Sequence, residues 1–358
     1  MQLSPPWHWL AIPDGMSLSS SAARAWRIAK AIGAKTMLDA AFGRQPVILM
    51  YHRFSMEPME RRISASEFDW QMTYLVQHCN VISWTELISG LRNQVAWRPG
   101  TVAISVDDGY SDLYEVAFPI LKKHGLPATA FVTSGFAAGC FWHWPDQLHF
   151  ILTNCKQHEL RFDTDGGTMV LALQGARALW HSWNTLADVC YELSDSVRDE
   201  WISRISRIAK VSVPEQPPSP YRPANWSQLQ EMVAAGLSIG AHSVTHPRLT
   251  RLANEQLVTE IAGGKITLEN ELQTAVTSFA YPFGTPADHD ERVRKAVRQA
   301  GFESGCVAYF DQRLYNDLYA LPRFGVGADA WDFLKSVDGL KRARSLQKTF
   351  FQNPQRRA

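Results

Sequence analysis

Cysteine is scarce and scattered in this chain: Cys79, Cys140, Cys155, Cys190 and Cys306 lie far apart, and no two of them form a CxxC pair. That excludes a thiolate zinc ribbon and a disulfide framework, and an odd number of thiols suits a reducing compartment. Neither sign of charge is in excess. With 36 Lys and Arg against 35 Asp and Glu, nothing draws the chain as a whole toward nucleic acid or anionic lipid. Long apolar runs are missing too, none approaching the roughly 18 residues of a spanning helix. The opening MQLSPPWHWLAIPDG lacks the basic start and unbroken apolar stretch of an export signal. The expected address is cytoplasmic, with the inner face of the membrane as its variant. No internal repeat is visible.

What the chain does contain is enough apolar material, 46% of 358 residues, for one large α/β core or two modest ones. Its 13 Trp suit core packing, sugar contact or a membrane interface. The basic stretch KRARSLQKTFFQNPQRRA at 341–358 is either solvated or a peripheral contact with anionic lipid, through its charges and Phe350 and Phe351. Oligomeric state is not legible.

Between these ends, strand-like and helix-like segments alternate at the spacing of βα units, which predicts a parallel sheet or barrel. Strands are expected at 47–50, 81–83, 101–106, 128–132, 237–240, 277–284 and 304–308, with Leu321 to Arg323 marking one more strand end. Helices are expected at 22–42, at 67–79 under a Ser66 cap, at 85–91 and at 113–124 through Pro119. Further helices are expected from Trp226 under an Asn225 cap, at 255–272, at 292–300 and at 331–336. Residues 140–223 break the rhythm. We read 1–45 as an N-terminal extension, 46–139 and 224–335 as the barrel, 140–223 as a mainly helical insertion overhanging the site, and 336–358 as a basic tail.

The stretch TVAISVDDGYSD organises the rest. A β-rich segment ends abruptly at Asp107, Asp108 and Gly109, which places two carboxylates at a strand's C-terminal end, where α/β folds carry their chemistry. Taken alone, DDG is also an ordinary turn. Downstream, His242 and His246 lie four apart just past another predicted strand. Two imidazoles and one carboxylate leave a coordination position open, the pattern of a catalytic rather than a structural zinc site. The second carboxylate is then free to accept a proton from water acidified by the metal. Co²⁺, Ni²⁺ or Fe²⁺ would accept the same ligands as Zn²⁺.

These segments, SVDDGYSD, GAHSVTHPRL and FAYPFG with VILMYHRF and ALPRFGV in support, resemble the polysaccharide deacetylase family, carbohydrate esterase family four, also known as the chitooligosaccharide deacetylase homology domain. The resemblance covers about residues 46–135 and 224–330. It implies an irregular (β/α) barrel of about seven strands, with Asp108, His242 and His246 as metal ligands and Asp107 as the general base. Water activated at the metal would attack the acetamide carbonyl of an N-acetylated sugar, oligosaccharide or lipid-linked glycan. Ser243 and Thr245 would supply hydrogen bonds fixing the imidazole rings. The third motif departs from the family pattern, since Ala280 stands where arginine is common, while the Phe283 N–H remains a candidate for the oxyanion hole. Arg323 is the candidate cation for orienting Asp107. No histidine follows His289, so the usual C-terminal acid is absent. The branch acting on poly-N-acetylglucosamine carries an early Tyr-His pair instead, and Tyr51-His52 resembles it, making His52 the expected acid for the departing amine. His143 and His289 are weaker candidates. The alternatives are an inactive glycan-binding barrel and a deacylase of a non-sugar amide or acetyl ester.

Overall fold

A computed structural model describes residues 33, 36–37, 45–164 and 166–342. The helix expected at 22–42 falls almost wholly outside them, as do residues 343–358 of the basic tail. Seven strands make one parallel sheet: β1 (Val47–Tyr51), β2 (Thr101–Asp108), β3 (Thr129–Val132), β4 (Ser238–Ala241), β5 (Ser278–Ala280), β6 (Ser304–Cys306) and β7 (Phe324–Gly325). Their order across the sheet is β6-β5-β4-β3-β2-β1-β7, and a two-residue strand, Asn80–Val81, pairs beside the start of β2. The sheet curls until one segment touches both edges. Leu321 bridges Cys306 on β6, and three residues later Phe324 pairs with Leu49 on β1. Every residue of β1 and the first seven of β2 are buried, because helices cover the outside while side chains fill the inside.

Several local expectations shift. The helix Ala65–His78 is capped by Ser64, not Ser66, since only Ser64 has a glutamate three residues on, and Glu67 closes a capping box with it. The segment around Pro119 begins with a π-turn, Leu113–Ala117, before the α-helix Phe118–His124; the wider turn accommodates a residue that cannot donate an N–H. A second π-turn, Thr259–Gly263, interrupts the helix expected at 255–272. The strand expected over TSFAYPFG is confined to Ser278–Ala280, and Arg323 stands just before β7 rather than at a strand's end.

The basic tail is not free from its start. Lys341 donates to Asp332 at 2.6 Å, and Arg342 is buried with its guanidinium on the carbonyls of Gln45 and Pro46. Both anchor the C-terminal segment to the barrel.

Between β3 and β4 the chain forms the helices Trp144–Asn154, Ala176–Glu192 and Asp195–Ala209 and an antiparallel hairpin, Glu159–Thr164 with Gly167–Ala172. Leu148, Ile151, Leu160, Leu186 and Ile205 are the centre of a hydrophobic cluster separate from the barrel core, and Phe283 of the barrel packs against it. The guanidinium of Arg248 lies 3.9 Å from the centroid of the Tyr191 ring and donates to Asp288 at 3.0 Å, fastening this layer to the barrel rim.

Candidate active site

Register alone brings the first site residues together. Tyr51 pairs with Val106, Asp108 with Val132, and Val132 with Ala241, so His52, Asp107, Asp108 and His242 emerge at one level from the ends of β1, β2 and β4, with β3 pairing between the last two. That level is the C-terminal rim of the sheet.

Asp108, His242 and His246 form a group of metal-ligand geometry. The Nε2 atoms of the two histidines are 3.2 Å apart and lie 3.5 and 3.6 Å from Asp108 Oδ1. A tetrahedral ion with bonds of about 2.0–2.1 Å has ligand-to-ligand edges of roughly 3.3–3.4 Å, so these three atoms fit one face and leave the fourth vertex open. The donor set, two imidazole nitrogens and one carboxylate oxygen, is that of a catalytic zinc centre. Nδ1–H of His242 donates to the carbonyl of Ala280 at 2.8 Å, which leaves its Nε2 lone pair for an ion. Ala280 therefore serves through its backbone. Burial pushes the Asp108 carboxyl up, but hydrogen bonding to His242 and the neighbouring imidazoles outweigh this and hold it well below the usual range.

The backbone here is conformationally expensive. Asp108, Ser243, His246 and Phe283 have φ of 75°, 64°, 60° and 59°. Of the other four left-handed non-glycine residues among those described, Lys210 and Gln273 simply end helices. Such strain persists only where surrounding bonds over-determine it. Glu260, on the second π-turn, accepts from the N–H groups of Val244 and Thr245 at 2.9 Å each and from Thr245 Oγ1 at 2.6 Å. The N–H groups of Ser134 and Gly135 donate to the carbonyls of Ser243 and Val244, and Ser243 Oγ accepts from the His246 N–H at 3.0 Å. Ser243 and Thr245 thus hold the loop's backbone rather than the imidazole rings, a correction to the sequence reading. Sequence reasoning missed Glu260 altogether, because nothing local to ANEQLVTEIAGG signals a contact with the histidine loop. Substituting Glu260 with Ala is expected to weaken metal binding about 10–100-fold, measured by competition with a chelating dye, while the fold survives.

Asp107 lies one residue from the ligand set and is 2% exposed; Arg323, 1% exposed, grips it with two 2.6 Å bonds, one to each carboxylate oxygen. The guanidinium is itself aimed by the Val307 carbonyl and Ser105 Oγ at 3.0 and 3.1 Å. Burial pushes the Asp107 carboxyl up, and the Arg323 charge outweighs it, leaving the group below its ordinary value.

His52 is exposed on the rim, where a protonated imidazole would favour the ionised form of both aspartates. The segment bearing it is fixed by Arg53, which donates to Asp112 at 2.8 Å and lies 3.6 Å from the centroid of the Tyr110 ring; Tyr110 in turn donates to Asp146 at 2.6 Å. Phe283 meets His246 edge-on with ring centroids 4.8 Å apart, and its N–H has no acceptor among the described residues. Of the weaker acid candidates, His143 is buried at the site, its ring 5.1 Å from that of His246. His289 is also buried, but between Tyr281 and Tyr309 rather than in an open polar loop.

The family model for polysaccharide deacetylases matches residues 95–163 and 201–305. The chain belongs to the polysaccharide deacetylase family. This makes the protein an enzyme of the hydrolase class acting on carbon–nitrogen bonds other than peptide bonds. The match breaks off within the layer between β3 and β4, where the chain departs from the family pattern. The deacetylase is similar to YxkH of Bacillus subtilis (strain 168), a polysaccharide deacetylase by name, at 23% identity over 276 residues, 75% of this chain and 68% of that one. Its fold is similar to that of Streptococcus pyogenes deacetylase PplD, solved in complex with acetate, with a TM-score of 0.54 at 18% identity over 82% of this chain and 98% of that one. IcaB from Ammonifex degensii gives 0.52 at 20% identity, covering 83% and 97%. Both likenesses fit the curled parallel sheet of the deacetylase. No described helix is long and apolar enough to cross a membrane.

Proposed function

We propose that this deacetylase hydrolyses the acetamide of an N-acetylated amino sugar, whether free, lipid-linked or within a polysaccharide, with a divalent transition metal held by Asp108, His242 and His246. The observation that carries the reading is the ligand triangle with a vacant vertex, set one residue from a buried carboxylate clamped by Arg323. When bound, the metal supplies Lewis acidity, polarising the acyl oxygen and acidifying water.

The chain's own groups account for the rest. Asp107 takes one proton from the attacking water, and its oxygens keep lone pairs free beside the two bonds from Arg323. The water oxygen bonds to the acyl carbon as the C=O π pair moves onto oxygen, where the Phe283 N–H is placed to donate. The oxyanion pair then re-forms the C=O bond as the C–N bond breaks, the amine leaves with a proton from His52, and the acetic acid formed loses its remaining proton to solvent, giving acetate and the free amino sugar. Acetate is also the molecule bound in the PplD structure. Arg323 takes, from the segment just before β7, the orienting role that the Ala280 position does not fill.

His52 acts only on the leaving group, so its substitution by Asn separates two substrates. We expect about 10²–10⁴-fold slower acetate release from N-acetylglucosamine oligomers and a much smaller loss on 4-nitrophenyl acetate, whose leaving group departs without protonation. Equal losses on both would remove His52 from this role. The function as a whole is tested by acetate release from a panel of chitooligosaccharides and nucleotide- and lipid-linked N-acetylhexosamines; a metal-loaded enzyme silent on all of them would contradict it.

A further inference from the structure

The exposed imidazole of His52 makes no side-chain hydrogen bond among the described residues. Its aim is therefore set by the backbone that carries it, and the next residue, Arg53, holds that backbone. Arg53 Nε donates to Asp112 at 2.8 Å, Nη2 donates to the Pro220 carbonyl at 2.6 Å, and Nη1 lies 3.6 Å from Asp146 Oδ1. The same guanidinium covers the Tyr110 ring, whose hydroxyl donates to Asp146 Oδ2 at 2.6 Å. Asp112 and Tyr110 belong to the barrel, whereas Pro220 and Asp146 come from the chain between β3 and β4. The inserted layer thus supplies two of the four groups around the residue beside the acid.

A second contact joins the same two parts. Arg61, in the loop that follows the His52 segment, has φ of 63°, which a residue with a Cβ keeps only where its surroundings impose it. Its guanidinium lies 4.1 Å from the ring centroids of both Trp180 and Trp183, which stack on each other at 4.9 Å. Trp183 Nε1–H donates at 2.9 Å to the carbonyl of Pro145, the residue before Asp146. The contacts close a circuit from Arg61 through Trp183 and Pro145 to Asp146, then to Arg53 and back along the chain.

Stability does not account for the carboxylate in this circuit. Asp146 stands in the first turn of helix Trp144–Asn154, where acids commonly bond helix N–H groups, yet none of those groups donates to it among the described residues. Burial pushes its carboxyl above the ordinary value, more than the Arg53 charge brings it down, so the ionised form costs the fold free energy rather than contributing it.

We propose that Asp146 is a positioning residue for the His52 acid: it pins Arg53 and so aims the imidazole at the departing amine, while Arg61, seated on Trp180 and Trp183, keeps the inserted layer in place. The inference rests on the reading of His52 as that acid. The layer between β3 and β4 is then part of the catalytic apparatus rather than a cover over it.

Asp146→Asn keeps the shape and an acceptor for Tyr110 and loses the charge facing Arg53. In the metal-loaded full chain, kcat for acetate release from chitotetraose is expected to fall about tenfold with KM within about twofold of the wild type, because a misplaced acid slows its step and leaves binding intact. Hydrolysis of 4-nitrophenyl acetate, whose leaving group needs no proton, should change far less, and the melting temperature should not fall. His52→Asn combined with Asp146→Asn should be no slower on the tetramer than His52→Asn alone, since nothing is left to position. An unchanged kcat on the tetramer, an equal loss on amide and ester, a lowered melting temperature with both rates reduced, or a further tenfold loss in the double variant would overturn the role of Asp146. Those results leave the acid reading standing wherever His52→Asn by itself remains selective for the amide. Loss of that selectivity overturns the acid reading, and this inference with it.

Discussion

Replacing Asp107 with Asn lowers acetate release by about 10²–10⁴-fold while the ion stays bound at its ordinary stoichiometry. The amide is nearly isosteric and touches none of the three ligand atoms, so the ligand triangle of Asp108, His242 and His246 persists. What disappears is a lone pair basic enough to take a proton from water. The measurement is a pair: initial rates of acetate release against chitotetraose, and metal content of the same preparation. Full activity in this variant would show that proton transfer does not pass through Asp107.

Replacing Arg323 with Met has a different signature, a large loss of stability together with a loss of rate. Arg323 and Asp107 are both nearly inaccessible to water and joined by two 2.6 Å bonds. Removing one partner leaves a carboxylate buried without its counter-charge, which costs about 3–5 kcal/mol. For a chain of this size the melting temperature should fall by about 4–7 °C. The double variant Asp107→Asn with Arg323→Met removes the stranded charge and is expected to recover most of the stability, but none of the activity. If the single variant melts with the wild type, the pair contributes nothing to the fold. If the double variant remains as unstable as Arg323→Met, the loss is one of packing and not of charge.

Much of this was legible in the sequence because the site is built from strand ends. An apolar run followed by Asp-Asp-Gly, and another followed by His-x-x-x-His, places both motifs on one rim as soon as the strands pair in parallel, and β2, β3 and β4 do so in register. Arg323 was legible as a cation near a strand, although it reaches the carboxylate from just before β7 rather than from a strand's C-terminal end. The supports were not legible. Glu260 acts across a stretch with no motif of its own, and it lies on a π-turn that helical periodicity does not reveal. The ring of His242 is oriented by a backbone carbonyl, and every residue has one, so no side-chain identity signals it. Arg53, Asp112 and Asp146 form their network across three segments, and only folding makes them neighbours. The insertion could be noticed as a break in rhythm, but where Asp146 and Trp183 fall depends on how its helices dock on the rim.

The account turns on whether Asp108, His242 and His246 together hold one ion. The most direct measurement is metal content by plasma mass spectrometry after zinc loading and exhaustive dialysis, on the wild type and on Asp108→Asn, His242→Ala, His246→Ala and Asp107→Asn. The expected result is about one ion per chain in the wild type and in Asp107→Asn, and almost none in the three ligand variants. An ion retained by all three ligand variants, or none bound by the wild type, would contradict the account.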